Sequence, residues 1–154
     1  MRVRTQRFAQ VETVEVATEA VFSFPEGIPG FEELERFALV EEPRFLPFRW
    51  LQSLEDQEAV FLLVGAQLIA PEYELNLCDD DLDLLDLEAG AEADVLCILT
   101  VPTGMHGVTA NLRAPVVLNR ERGLGKQVVR ADERYPIRHP VSLLAGERSE
   151  AVGR

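Results

Sequence analysis

Lysine and tryptophan occur once each, and cysteine and histidine twice each, in a chain of 154 residues. Each scarcity closes off a class of function. Cys78 and Cys97 stand far apart, with no Cys-x-x-Cys pair and no Cys/His cluster. Neither a zinc site nor a disulfide framework is indicated, and a reducing cytoplasm is the expected compartment. His106 lies in a Gly-rich turn and His139 precedes a proline, so neither is marked as a general base. The phosphate-cradling glycine motifs, the Gly-x-Ser-x-Gly elbow and His-Glu-x-x-His are all missing, and no carboxylate pair is singled out by its surroundings. No catalytic residue and no cofactor are expected, and the chain is read as a non-enzyme. No internal repeat or low-complexity segment appears.

Apolar runs are short as well. None reaches the roughly 18 residues of a membrane span, and the basic start Met1 to Arg7 leads into no apolar signal core. Neither export by a signal peptide nor a membrane span is expected. Positive charge is in deficit: the formal net charge is −12. That disfavours direct nucleic-acid binding, which needs a basic footprint to displace counterions from phosphates. Acidity of this size either keeps the protein soluble or draws a basic protein partner. Nothing in the sequence explains why arginine almost wholly replaces lysine.

What is present points to strands. Nine prolines and ten glycines punctuate short runs of Val, Ile, Leu and Phe, and 47% of residues are apolar. This is the pattern of an all-β domain, here a small, partly open β-barrel of short, mainly antiparallel strands with one or two short helices. One domain over residues 1–145 and a frayed tail from Gly146 to Arg154 are expected. Val11–Val16, Ala20–Phe24 and Phe37–Val40 read as strands, with a possible helical turn over Glu32–Arg36. Arg44–Ser53 and Ala59–Val64 read as a hairpin around the polar loop Leu54–Glu58. By period two, Phe48 and Trp50 share a face and are expected in the core. Asp94–Val101 is apolar on both faces and should lie centrally, with Cys97 as a small core residue. Tyr135–Pro140 is an extended segment expected to strap over the barrel.

Two stretches stand out. Pro25-Glu26-Gly27-Ile28-Pro29-Gly30 combines two prolines that withhold donors with two glycines able to take positive φ, and returns Phe31 to the core. Asn111–Asn119 reads as two strands meeting at Pro115, with both asparagines bonding local backbone, and Arg120–Gly125 turns the chain into Lys126–Arg130. Between Pro71 and Asp94 there are ten acidic residues and no basic one. Asp79–Glu88 fits a short helix with Leu82, Leu84, Leu85 and Leu87 on one stripe and Asp79 to Asp81 favoured at its N-terminus. The Asp79, Asp81, Asp83 spacing imitates an EF-hand, but Leu84 and Gly90 occupy positions that need Gly and Glu, so no metal site is expected.

Taken in order, Phe24–Phe31, Phe48–Ser53 with its Leu-Gln-Ser, Pro71-Glu72-Tyr73, Asn111–Asn119 and Gly125–Val128 resemble the FliW family of flagellar assembly factors. The resemblance runs from about Val11 to Pro140, and the Asn-Leu-x-Ala-Pro segment is its most specific part. It implies a cytoplasmic β-barrel protein that binds flagellin before export and also binds the RNA-binding translational regulator CsrA. Free flagellin would take up the factor, release CsrA and so lower flagellin translation. Glu72, Tyr73, Glu74, Asp79, Asp80, Asp81 and Asp83 are the expected partner-binding residues, with Tyr73 either an anchor among carboxylates or packed inward. Gly27, Gly30, Phe31, Gln52, Ser53, Asn111, Pro115, Asn119 and Gln127 are expected to determine the fold. Gly65–Ala70 departs from the family pattern by lacking an Asn-Pro or Asp-Pro turn, and Arg122–Arg138 is unusually rich in arginine. Two other readings stand: a flagellin chaperone without a CsrA role, and a barrel enzyme or small-ligand carrier.

Overall fold

The computed structural model of the chain describes residues 1–7, 10–102, 107–130 and 134–141. His106 and the tail from Gly146 lie outside them. The strands are β1 Arg2–Arg7, β2 Gln10–Glu15, β3 Val21–Ser23, β4 Arg36–Val40, β5 Arg49–Ser53, β6 Val60–Gly65, β7 Asp94–Thr100, β8 Thr109–Ala110, β9 Val116–Asn119, β10 Leu124–Gln127 and β11 His139–Pro140. Two helices, α1 Ala66–Ile69 and α2 Asp79–Leu85, and one 3-10 turn at Thr18–Ala20 complete the regular structure.

Seven strands form a closed ring in the order β3-β4-β5-β6-β7-β9-β10. Every pairing in it is antiparallel except β10 with β3, which joins in parallel at the single register pair Leu124 to Ser23. That pair is the thinnest seam of the barrel. The expected all-β barrel is thus observed, and its near-opening lies at this seam, where one backbone bond from Ser23 N–H to the Gly123 carbonyl (2.8 Å) reinforces the contact.

Alternation explains the packing on both sides of the ring. Phe22, Phe37, Leu39, Leu51, Leu63, Leu96, Val116 and Leu118 point inward, joined by Phe24 and Ile28. Edge-to-face rings fill the interior: Phe24 on Phe37 at 5.1 Å between centroids and Phe31 on Phe61 at 5.3 Å. Outward-facing Ala38, Val40 and Trp50 are covered by the β1–β2 hairpin through Val3 and Val16. Val64, Cys97 and Leu99 are covered by Tyr73, Val108, Ala110 and Val141. Val117 and Val128 are covered by α2 through Leu85. Apolar residues on both faces of β7 therefore follow from its position between the interior and an outer layer.

Two expectations are corrected in detail. The strand expected from Arg44 begins only at Arg49, because Pro43 and Pro47 withhold donors and residues 43–47 turn instead. Phe48 consequently leaves the face of Trp50: Trp50 packs on Phe45 beneath the hairpin, whereas Phe48 joins the layer around Tyr73. The expected helical turn over Glu32–Arg36 is absent: residues 32–33 turn, closed by Leu34 N–H on the Phe31 carbonyl at 3.0 Å, and Arg36 already opens β4.

Local polar bonds hold the ring in register. Gln52 is wholly buried on the outer face of β5. Its Nε2 donates to the carbonyls of Ser53 and Gln57 at 3.0 Å each, and its Oε1 accepts the Gln6 N–H at 3.3 Å, tying the β5–β6 loop to β1. Ser53 Oγ accepts the N–H groups of Glu55 and Asp56, both at 3.0 Å. Asn111 Oδ1 accepts Arg113 and Ala114 N–H groups at 3.0 Å each, bending the chain into Pro115, where β9 opens without needing a donor. Gln127 Nε2 donates to the Ala114 carbonyl at 2.9 Å and fastens the same bend to β10.

Gly27 and Gly125 are required by space. Gly27 has φ of +67°, and a Cβ there would lie 2.6 Å from Glu32 Cα. A Cβ on Gly125 would lie 2.5 Å from Cζ of Phe24. Gly125→Ala is therefore expected to lower the unfolding free energy by about 1–3 kcal/mol in urea denaturation. Adding Phe24→Leu should recover part of the loss, and an unchanged midpoint for Gly125→Ala would show that the seam does not depend on this contact.

Candidate functional site

The acidic segment between β6 and β7 is displayed by what its alternate residues bury. After α1 the chain turns at Pro71 and Glu72, and Tyr73 N–H closes the turn on the Ala70 carbonyl at 2.8 Å. From Tyr73 to Cys78 it joins neither helix nor sheet. Tyr73, Leu75 and Leu77 point toward the barrel, and Glu74, Asn76 and Cys78 are exposed. Period-two alternation thus operates outside the ladder.

Tyr73 is only 4% exposed. Its hydroxyl donates to the Leu112 carbonyl at 2.7 Å and its ring lies 4.4 Å from that of Tyr135. Burial pushes its hydroxyl pKa up to about 12. Of the two readings open for Tyr73, the inward one is observed: it belongs to the core of this layer, because a neutral phenol with a carbonyl acceptor is satisfied there. Tyr135 in turn accepts the Glu74 N–H at 3.0 Å, and the Tyr135 carbonyl accepts Arg113 Nε at 2.9 Å. The strap expected over Tyr135–Pro140 pairs its end, β11, with β8.

Helix α2 begins after Cys78, whose N–H is accepted by the Asp81 carboxylate at 3.2 Å, one half of a capping box. Asp86, at φ of +54°, ends the helix in the left-handed region. Asn119 Nδ2 donates to the carbonyls of Leu85 and Asp86 at 2.7 and 3.3 Å. Its Oδ1 accepts the Arg122 N–H, so it serves both the local turn and the helix end. The helix is three residues shorter than Asp79–Glu88 because this left-handed cap stops it.

Asp81 is a second correction. It is buried, and its carboxylate accepts Lys126 Nζ at 2.7 Å. Burial pushes its carboxyl up, but Lys126 and the Cys78 donors outweigh it and hold the group below the usual carboxylate value of 3.8. The bond to Asp81 holds the Lys126 ammonium above its usual value. Lys126, the sole lysine, is the residue that clamps α2 to β10. Its scarcity and its place beside Gly125 were the signals in the sequence. A further network joins Arg49 and Arg120 to Glu41, and Arg120 to Asp94. Its arginine hydrogen bonds lower the Glu41 pKa, the bond from Arg120 having the largest effect.

Of the expected partner-binding carboxylates, Glu72, Glu74, Asp79, Asp80 and Asp83 are exposed, and Asp86, Glu88 and Glu92 of the same segment are exposed as well. Leu75 packs against both the Tyr73 layer and the α2 layer and so joins the two halves of the segment, while Arg130, over the rings of Tyr73 and Tyr135, and Arg134, over Tyr135, stand beside the first half. No set of three or more His, Cys, Asp or Glu groups among the described residues is arranged to hold a metal ion. No helix among them is long and apolar enough to cross a membrane.

The phenylalanine-filled interior and the outward display of charge define a class: a small closed β-barrel whose chemistry is offered on its outer surface. A profile described as FliW protein matches residues 2–141, and the chain belongs to this family of flagellar assembly factors. It is 37% identical over 137 residues to the flagellar assembly factor FliW of Caldicellulosiruptor saccharolyticus, covering 89% of this chain and 88% of that one. With the Thermotoga maritima factor of the same name it shares 38% over 140 residues, 90% and 93% of the two chains. A crystal structure of the flagellar assembly factor FliW superposes with a TM-score of 0.78 at 32% identity, over 91% of this chain and 96% of that one.

The Asp81–Lys126 pair generates a pH prediction. A carboxyl held below its unfolded value stabilises the fold at neutral pH and loses that contribution as pH falls through its folded value. Asp81→Asn should cost about 1–3 kcal/mol at pH 7, since it leaves Lys126 without its strongest partner in a site only 17% open on the lysine side. Urea melts of both proteins should converge as pH drops below the ordinary carboxylate range. A gap that persists at acid pH would show that the bond contributes little.

Proposed function

We propose that the protein is a non-enzymatic adaptor of the bacterial cytoplasm. In this reading it binds CsrA through the acidic segment, relieves repression of flagellin translation, and is taken away from CsrA by flagellin awaiting export. The observation that carries the reading is the exposure of Glu72, Glu74, Asp79, Asp80 and Asp83 along one segment with no basic residue in the intervening chain. Membership of the FliW family supports the flagellar side of it. Single-signed charge on a segment speeds encounter with an oppositely charged partner and makes the affinity sensitive to salt. Tyr73 and Asp81 act from beneath, by holding the chain that bears the exposed carboxylates.

Calorimetric titration into CsrA from the same organism, with and without saturating flagellin and at two salt concentrations, tests the reading. Salt-sensitive binding that flagellin abolishes is expected, with Glu74→Lys weakening it about tenfold at low salt. Binding to flagellin alone would leave a chaperone and remove the role assigned to the acidic segment; binding to neither partner would overturn the proposal.

A further inference from the structure

Beside Glu74 an open groove of about 560 Å³ runs between α1 and the chain after Tyr73. Its lining is mixed: Leu68, Leu75, Ala93 and Val95 supply apolar surface, and Gln67, Glu74 and Asn76 supply polar surface. Leu68 stands on the rim and is 49% exposed, one of few large apolar side chains left to solvent. One wall is backbone. Leu75, Asn76 and Leu77 belong to no helix, strand or turn, and their N–H groups have no hydrogen-bond partner among the described residues. Burial alternates along this segment with the period of a strand, yet it pairs with no neighbouring strand.

We propose that this groove docks an extended segment of a basic protein partner, which pairs with the backbone from Glu74 to Leu77 as an added strand. Strand addition supplies main-chain hydrogen bonds, and side-chain pockets on alternate residues supply selectivity. Here an apolar residue of the segment packs on the accessible apolar lining, Leu68, Leu75 and Val95. An arginine or lysine next to it in the sequence points the other way, toward exposed Glu74 and Glu72. Charge complementarity chooses the sign of the partner, because Glu74 is the charged residue among those lining the groove and none of them is basic. The inference rests on the functional reading above only for naming CsrA as the source of the segment.

Gly65 provides a test that leaves the fold in place. It lines the groove with φ of −59° and ψ of 132°, ordinary for any residue, and a Cβ built there meets nothing within 4 Å. Gly65→Trp fills the groove, and its urea midpoint checks that the barrel is intact. Two probes separate the two ideas: CsrA itself, and a synthetic seven-residue peptide of alternating leucine and threonine with arginine at both ends, compared with its glutamate-ended counterpart. Amide hydrogen exchange at Leu75 and Leu77, whose N–H groups share the edge opposite the Glu74 N–H that meets Tyr135, is the readout. The arginine peptide at millimolar concentration should slow exchange at these amides, the glutamate peptide should not, and Gly65→Trp should abolish the effect. With CsrA the same amides should be protected and Gly65→Trp should weaken binding by about tenfold or more. Protection by the arginine peptide without CsrA binding would keep the groove and sink the functional reading. CsrA binding with these amides unprotected by either probe would keep the functional reading and overturn the groove.

Discussion

The close approach of the Phe24 ring to Gly125 lies at the seam where this barrel closes. β3 and β10 share one register pair, so little backbone bonding holds the two ends of the ring together. The ring of Phe24 fills the space that any side chain on Gly125 would occupy, with its Cζ 2.5 Å from the Cβ position. The absent side chain lets an aromatic ring press directly on backbone, and dispersion across that surface replaces the ladder that is missing. Everything attached to β10 inherits its position from this contact. Lys126 points outward to Asp81, Val128 packs under α2, and Gln127 holds the Asn111–Pro115 bend.

The outside of the barrel is built in three separate layers, each with its own polar fastener. Gln52 secures the β1–β2 hairpin, the Tyr73 hydroxyl and Tyr135 secure the loop after α1, and Lys126 with Asn119 secures α2. Two of these layers carry the acidic segment, and both bury one residue of it to display the next. A chain of net charge −12 thereby concentrates carboxylates on one segment while two buried members of the segment, Tyr73 and Asp81, are neutralised or paired. Fixing the backbone under those carboxylates reduces the conformational entropy lost when a partner is bound.

Much of the ring was legible from residue order. Alternation and short apolar runs between turn residues located the strands β2 to β7, the polar loop after Ser53 marked the hairpin, and the doubly apolar run of β7 implied a central place that its pairing with β6, β8 and β9 bears out. The αL glycine at Gly27 and the Asx bend at Asn111 were readable because each depends on chemistry within a few residues. Pro47 misled the boundary of β5, since a single proline cannot be weighed in sequence against the strand propensity of its neighbours.

The candidate surface divides along the same line. The amino-acid sequence by itself determined that this is a short-stranded β domain, that its charge gathers between Pro71 and Asp94, and that its motifs follow in the order of the FliW family. Those are properties of local spacing and composition. Tertiary structure alone decided which acidic-segment residues face water. The carbonyl of Leu112, 39 residues from Tyr73, draws the phenol inward, and Lys126, 45 residues from Asp81, draws the carboxylate inward. A buried polar group goes where its partner is, and partners brought together by barrel closure have no signature in the order of their neighbours.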